Sequence, residues 1–151
     1  MKMVLLGTGT SHGIPCIACK CRVCTSNDEH DKRLRCSAYI TNKNDDESVS
    51  HLLVDVGPEF RIQALRSGIN KVDAVLLTHS HADHLHGLDD LRIFSCVMSK
   101  KPENPNHEKY NAPPIKIYTN LNTKEDISFR FSYLFNEVTE GGGHAKIEPI
   151  A

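Results

Sequence analysis

Apolar and polar positions along the chain separate into short strand-like runs and helix-like repeats. "KMVLLG" (2–7) is an apolar run closing on glycine and predicts a short buried strand. "SAYIT" (37–41) and "HLLVDVG" (51–57) flank the polar stretch "NKNDDES" and predict a β-hairpin. "PEFRIQALRSG" opens on Pro58 and closes on Gly68, the proline-first, glycine-last signature of a short helix. "AVLLTH" (74–79) is a continuous apolar run, as expected of a strand covered on both faces. In "GLDDLRIFSCVM" (87–98), Leu88, Leu91, Phe94 and Ser95 recur at helical spacing and predict a helix. "SKKPENPNHEKYNAPP" (99–114) holds four of the seven prolines and predicts a surface loop. "IKIYTN" predicts a strand, and "TKEDISFRFSYLF" (123–135) a helix opened by a Thr-x-x-Asp cap signal. After "GGG", "HAKIEPI" predicts a last strand. Strands alternate with helices and no segment repeats. The fold class is α/β (α+β), in one domain over residues 1–151.

Composition adds bounds rather than detail. The chain has 151 residues, a single domain's worth. Charged residues are 25% and the net charge is −1, so no basic field recruits nucleic acid. The N-terminal "MKMVLLGTGTSHG" is too polar for an export signal, and no run approaches the ~20 apolar residues of a membrane span. These features predict a cytoplasmic protein with neither membrane nor nucleic-acid partner.

Cysteine placement changes the picture. Four of the six cysteines crowd into "CIACKCRVC" (16–24). Such spacing suits thiolates converging on one metal better than bridges to distant strands. The competing reading is four free thiols in a loop, which would oxidise readily without metal. Cys36 and Cys96 stand apart and are expected to be small buried apolar residues.

The densest chemistry is "THSHADHLHG" (78–87), with four histidines and an aspartate in ten positions. His79 and His81 are two apart, so beyond a strand end they point the same way and can grip one ion. Asp83 and His84 reach a neighbouring ion where the chain turns into a helix. Imidazole suits Zn, Fe, Ni or Cu, and carboxylate also suits Mn. Two cations ~3.5–4 Å apart form a clamp for phosphoester hydrolysis, with a bridging hydroxide as nucleophile. Asp83 is then both ligand and orienter. The bland alternative is a histidine-rich surface loop with adventitious metal affinity.

"THSHADHLHG" resembles the metallo-β-lactamase superfamily motif Thr-His-x-His-x-Asp-His-x-x-Gly at every position. "LLVDVGPEF" is similar to the superfamily's preceding strand and loop. "GTGTSHGIP", "CKCRVC" and "HGLDDLR" narrow the likeness to the phosphoribosyl 1,2-cyclic phosphate phosphodiesterase (PhnP-like) group, relatives of the tRNA 3′-processing endonucleases. The resemblance implies an αββα sandwich, of which this chain is the N-terminal portion. It implies two catalytic divalent ions (Zn or Mn) on His79, His81, Asp83 and His84, with Asp83 catalytic. It implies a brace at Asp55, and one structural Zn on Cys19, Cys21 and Cys24, with Cys16 as a crowded fourth candidate. Thr78 and His86 are read as supporting residues behind the ligands. Arg92 is a candidate phosphate contact, against a pair with Asp89 or Asp90. His12 is a candidate at the site entrance, against a plain loop histidine.

The superfamily's second half supplies further ligands that this chain does not match. His107 lies in the proline-rich loop, and no family motif surrounds His144. One half of a sandwich exposes the apolar face meant for the other, so the chain is expected to self-associate or to pair with a complementary C-terminal half. Three functions follow. The favoured one is a metal-dependent phosphodiesterase acting on a small cyclic or sugar phosphate, inactive where the ligand set stays half complete. The second is another hydrolase of the superfamily: an RNA 3′-end nuclease, a thioesterase or a lactamase. The third is a non-catalytic zinc-binding fragment serving as a partner module.

Overall fold

A computed structural model of the chain describes residues 1–97, 113–135 and 145–151. Most of the proline-rich segment, His107, His144 and the Cys96 side chain lie outside the described residues. Among the described residues, six strands form one sheet in chain order. They are β1 (Lys2–Gly7), β2 (Ser37–Lys43), β3 (Val49–Val54), β4 (Ala74–Leu76), β5 (Ile115–Tyr118) and β6 (Ile147–Ile150). The first three are antiparallel neighbours and the last three join in parallel. Helix α1 (Phe60–Ser67) connects β3 to β4, and α3 (Leu121–Arg130) connects β5 to β6. The four-residue α2 (Ala82–Leu85) follows β4.

Register explains the core. Val4, Tyr39, Leu53, Val75, Ile117 and Pro149 lie side by side across the six strands. On that face Phe60, Leu85, Leu88, Leu91, Ile127, Phe131 and Leu134 pack in the buried cluster with the strand residues. Burying such a side chain fully stabilises by about 1.5–3 kcal/mol, so this face holds the fold together. Parallel crossovers of one hand place their helices on one side of a sheet.

Among the described residues, the opposite face is exposed at Met3, Leu5, Leu76 and Tyr118. Its central row is Leu5, Ala38, Val54, Leu76, Tyr118 and Ile150. Leu5 is 64% exposed and Leu76 42%. A parallel row carries Met3, Ile40, Leu52 and Ala74. The expectation of double coverage for 74–79 is therefore corrected: Val75 and Leu77 are buried while Leu76 faces out. β1 is likewise an edge strand with Met3 and Leu5 exposed, not a buried one.

Three further expectations shift. Residues 88–97 do not form a regular α-helix but a 3₁₀ turn (Leu88–Leu91) followed by a π turn (Ile93–Val97). In the tighter turn Leu88 and Leu91 stack at i and i+3 and both bury. α3 starts two residues before Thr123, because the Asn120 side chain accepts from the Thr123 N–H at 2.9 Å and caps the helix first. Thr123 is buried inside the helix. Cys36 is exposed rather than core.

Candidate metal centre

The site begins where β3 ends. Asp55 adopts a left-handed backbone (φ 56°), which an aspartate tolerates better than most residues. Its backbone N–H still reaches the Leu76 carbonyl at 3.0 Å, and the chain then turns under the loop that leaves β4. Two close backbone approaches lock this turn. The Val56 N–H donates to the His84 carbonyl at 2.7 Å, and the Gly87 N–H to the Val56 carbonyl at 2.8 Å. A Cβ on Gly57 would stand 2.2 Å from the Asp83 carbonyl oxygen, and one on Gly87 would stand 2.1 Å from the Gly57 carbonyl oxygen. Both positions require glycine. The motif's last residue is therefore a packing requirement, and Gly57 is a site residue that the sequence reading passed over.

Asp55 is 4% exposed and its carboxylate organises the loop. It accepts from the Thr78 N–H (2.8 Å), from the Thr78 hydroxyl (2.9 and 3.0 Å) and from His84 Nδ1 (2.7 Å). Thr78 has one hydroxyl proton, and a carboxylate only accepts, so that proton points to Asp55. The Thr78 oxygen then accepts from His79 Nδ1–H at 2.9 Å. One buried carboxylate thus sets the tautomer of two histidines, leaving Nε2 of each with its lone pair. Asp55 and Thr78, expected to stand behind the ligands, are hydrogen-bonded to His84 and His79 respectively.

His79 sits at the centre of the imidazole cluster. Its ring centroid lies 4.6 Å from that of His81 and 4.1 Å from that of His84. His81 ends the extended segment and its carbonyl accepts the His84 N–H at 3.0 Å, opening α2. The turn brings Asp83 round so that its carboxylate oxygen stands 3.2 Å from His84 Nε2. With Nδ1–H donated to Asp55, that contact sets two lone pairs against each other. A cation beside the pair, or a proton on His84 Nε2, relieves that opposition. The donor set, three imidazoles and a carboxylate, is the one that Zn or Mn takes. His79, His81, Asp83 and His84 thus offer the donor types that a divalent metal takes, although no three of their ligating atoms lie within 4.8 Å of one another.

A second layer comes from α3 and was not anticipated. The Ser80 hydroxyl donates to Asp126, Arg130 Nη1 donates to the Ser80 carbonyl at 2.7 Å, and Arg130 and Asp126 pair at 3.4 Å. Ser80 lies between the two leading histidines, so α3 clamps the peptide that spaces them. No local pattern in "TNLNTKEDISFR" signals this, because the contacts bridge 46 and 50 residues of sequence.

The remaining candidates are scattered. His86 is exposed and packs its ring on Phe131 (centroids 5.9 Å apart), away from Asp55 and Thr78. Arg92 is exposed, and among the described residues it pairs with neither Asp89 nor Asp90. Asp89 instead accepts from the Tyr133 hydroxyl, and burial together with that carboxylate pushes the Tyr133 phenol above its ordinary range. His12 is exposed, with Nδ1 3.4 Å from the neighbouring Ser11 hydroxyl.

The cysteine cluster is a separate centre. Among the described residues, only Cys19, Cys21 and Cys24 bring three metal-ligating atoms within 4.8 Å of one another. Three thiols at that spacing suit zinc. Cys16 turns aside: its thiol donates to the Gly13 carbonyl at 3.2 Å, while its N–H points at Cys24 Sγ at 3.4 Å. The backbone N–H of Cys24, with hydrogen bonds from the Cys19 and Cys24 thiols, lowers the Cys21 thiol to about 7. For Cys19, the Cys21 N–H pulls down, but hydrogen bonds to the Cys21 and Cys24 thiols leave it raised overall.

A model of the β-lactamase superfamily domain matches residues 50–151, from β3 through β6, including Asp55 and the whole His79–His84 loop. The chain belongs to the β-lactamase superfamily. A solved diphosphatase of the PhnP family superposes with a TM-score of 0.74 at 37% identity, over 98% of this chain and 48% of that one. The expected likeness to PhnP-like proteins is met by that match. The Zn(2+)-bound PqqB of Methylobacterium extorquens shares the fold (TM-score 0.67, 22% identity, 100% and 46% of the two chains). Among curated proteins, an octanoyltransferase of Porphyromonas gingivalis is 41% identical over 137 residues, 91% of this chain and 24% of that protein. Coenzyme PQQ synthesis protein B of Methylobacterium radiotolerans is 30% identical over 101 residues, 61% and 34% respectively. The chain spans less than half the length of each of these relatives. Among the described residues, no helix is long and apolar enough to cross a membrane.

Proposed function

We propose that this chain is the N-terminal portion of a metal-dependent hydrolase, a phosphodiesterase acting on a small cyclic or sugar phosphate. The observation that carries the reading is the Asp83–His84 contact beside His79 and His81, braced from below by Asp55. The 37% identity to a PhnP-family diphosphatase supports hydrolysis at phosphorus. His79 and His81 hold one divalent ion, Asp83 and His84 a second, and Zn or Mn suits both. Such ions supply Lewis acidity toward water and phosphoryl oxygen. Asp55 and Thr78 keep the imidazole lone pairs aimed outward. Asp83 both ligates and, as a carboxylate, orients the attacking water. Cys19, Cys21 and Cys24 hold a structural zinc, with the fourth donor coming from elsewhere.

The exposed face of the sheet belongs to the same reading. Leu5, Val54, Leu76 and Tyr118 form an apolar surface of the kind that a second sheet covers at ~10 Å. A complementary C-terminal half covers it and completes the ligand set. Self-association of the chain through this face is the competing outcome, read by its mass in solution with and without that half.

Elemental analysis of the purified chain, combined with a bis(p-nitrophenyl) phosphate assay of the chain paired with its complementary C-terminal half under added Mn or Zn, tests the function. The expected result is two classes of metal: one lost on His79→Ala or His81→Ala, the other lost on Cys21→Ala. Turnover disappears in Asp83→Ala. A single metal insensitive to both histidine changes, with no turnover, overturns the hydrolase and leaves a zinc-binding fragment.

A further inference from the structure

Beside the metal loop runs an open groove of about 470 Å³, lined among the described residues by His86, Arg130, Phe131 and Tyr133. That volume is within the ~300–1,000 Å³ typical of small-molecule sites. Three of its four lining residues are flat rings. Phe131, 8% exposed, is the most buried of them. The His86 ring meets it edge-on at 5.9 Å and 76°, and the Tyr133 ring is tilted at 6.2 Å and 47°. Tyr133 is held by its hydroxyl's bond to Asp89, so its ring is pre-set rather than free to collapse into the groove.

The fourth lining residue is a cation. Arg130 uses two of its five N–H donors on the Ser80 carbonyl and Asp126. The others are available to an anion, and the guanidinium is fixed in place by the bonds already made. Rings that stack and a guanidinium that binds oxyanions select one ligand chemistry. Stacking needs a π face, which a bare sugar phosphate lacks. The groove also adjoins the site: His86 is two residues past His84, and Arg130 holds the peptide between His79 and His81.

We propose that this groove is a binding subsite for a planar heteroaromatic group carrying a phosphate, and that it holds the part of a phosphoester substrate remote from the scissile bond. The second clause rests on the phosphodiesterase reading. The first does not, and is tested without turnover.

The test titrates the purified chain, with no metal added, with adenosine 5′-monophosphate as probe and ribose 5-phosphate and adenosine as comparators, followed by NMR. The expected result is binding of the nucleotide about tenfold tighter than either comparator, as one stacked ring is worth. Intermolecular NOEs run from the adenine protons to the Tyr133 and Phe131 rings. Tyr133→Phe retains the preference, while Tyr133→Leu removes it and leaves ribose 5-phosphate binding unchanged. Equal binding of ribose 5-phosphate, no binding at millimolar nucleotide, or NOEs to other residues overturns the subsite. The NOEs are read on the unaltered chain, so a misfolded Tyr133→Leu does not decide the matter. Nucleotide binding in the groove together with no hydrolysis of bis(p-nitrophenyl) phosphate leaves the subsite standing and removes the phosphodiesterase.

Discussion

The two metal-ligand clusters are built in opposite ways. The histidine loop is organised from outside itself: Asp55 from the end of β3, Gly57 packed beneath Asp83, and Asp126 and Arg130 from α3. The cysteine cluster is organised by its own backbone, through turns such as Cys19 N–H to the Cys16 carbonyl (3.1 Å) and Thr25 N–H to the Cys21 carbonyl (3.0 Å). Cys19 and Cys21 are exposed, while Asp55 is buried. The lesson concerns where preorganisation comes from. Tertiary contacts fix the backbone and ring orientation of the histidine loop, whereas local turns alone bring the three cysteine sulfurs within 4.8 Å of one another.

Removing the brace should therefore produce the largest difference between the clusters. Asp55→Ala strips His84 and Thr78 of their shared acceptor. Loss of such an outer partner lowers metal affinity about 10–100-fold. Competition with a chromophoric chelator should show that loss at the histidine loop and none at the cysteines. Equal weakening of both would erase the distinction.

Gly57→Ala attacks the same dependence through the backbone. The new methyl would overlap the Asp83 carbonyl oxygen, 2.2 Å from the ideal Cβ position. Overpacking of this kind costs about 1–3 kcal/mol. A lower thermal midpoint, with the cysteine-bound zinc retained, is the expected outcome. An unchanged midpoint would mean that the turn yields easily.

A smaller effect is expected from Asp126→Ala. It removes the acceptor of the Ser80 hydroxyl and the partner of Arg130. The pair is 41% exposed on each side, so the stability cost should stay near ~0.5–1 kcal/mol. The sharper readout is the His79 and His81 imidazole signals by NMR. They should broaden or shift while the Cys19, Cys21 and Cys24 resonances stay in place.

The mildest test falls on the cysteines. The Cys21 thiol is lowered to about 7, so at neutral pH about half of it is thiolate in the metal-free chain. The lowered pKa raises the thiolate fraction but weakens the nucleophile. The net expectation is that iodoacetamide modifies Cys21 about five- to tenfold faster than an ordinary exposed cysteine. The rate should fall as pH drops below 7, and zinc should protect. Mass mapping of the alkylated peptide measures it. Modification spread evenly over Cys19, Cys21 and Cys24 would show that the Cys24 N–H does not single out Cys21.

Much of this molecule was legible along the chain because its signals are local. The β2–β3 hairpin, α1 with Gly68 at its end, and the ligand spacing of 79–84 follow from side-chain period, turn residues and i, i+2 geometry. The three-cysteine group is equally local, since six residues of turn bring its sulfurs together. Other features depend on distance in sequence. Whether Leu76 is buried depends on which side the crossovers place their helices, and no pattern within "AVLL" records that. The α3 start at Leu121 depended on Asn120 capping ahead of Thr123, a competition between two valid cap residues. The clamp of Ser80 by Asp126 and Arg130 and the ring-lined groove exist only because β5 pairs beside β4 and sets α3 over the metal loop. The sequence by itself determined which residues are candidates for the chemistry, because ligand type and short spacing are written residue by residue. The tertiary structure alone decided which groups brace them, which face stays exposed and what a ligand would meet beside them. Those are contacts between segments whose order in space the local code does not contain.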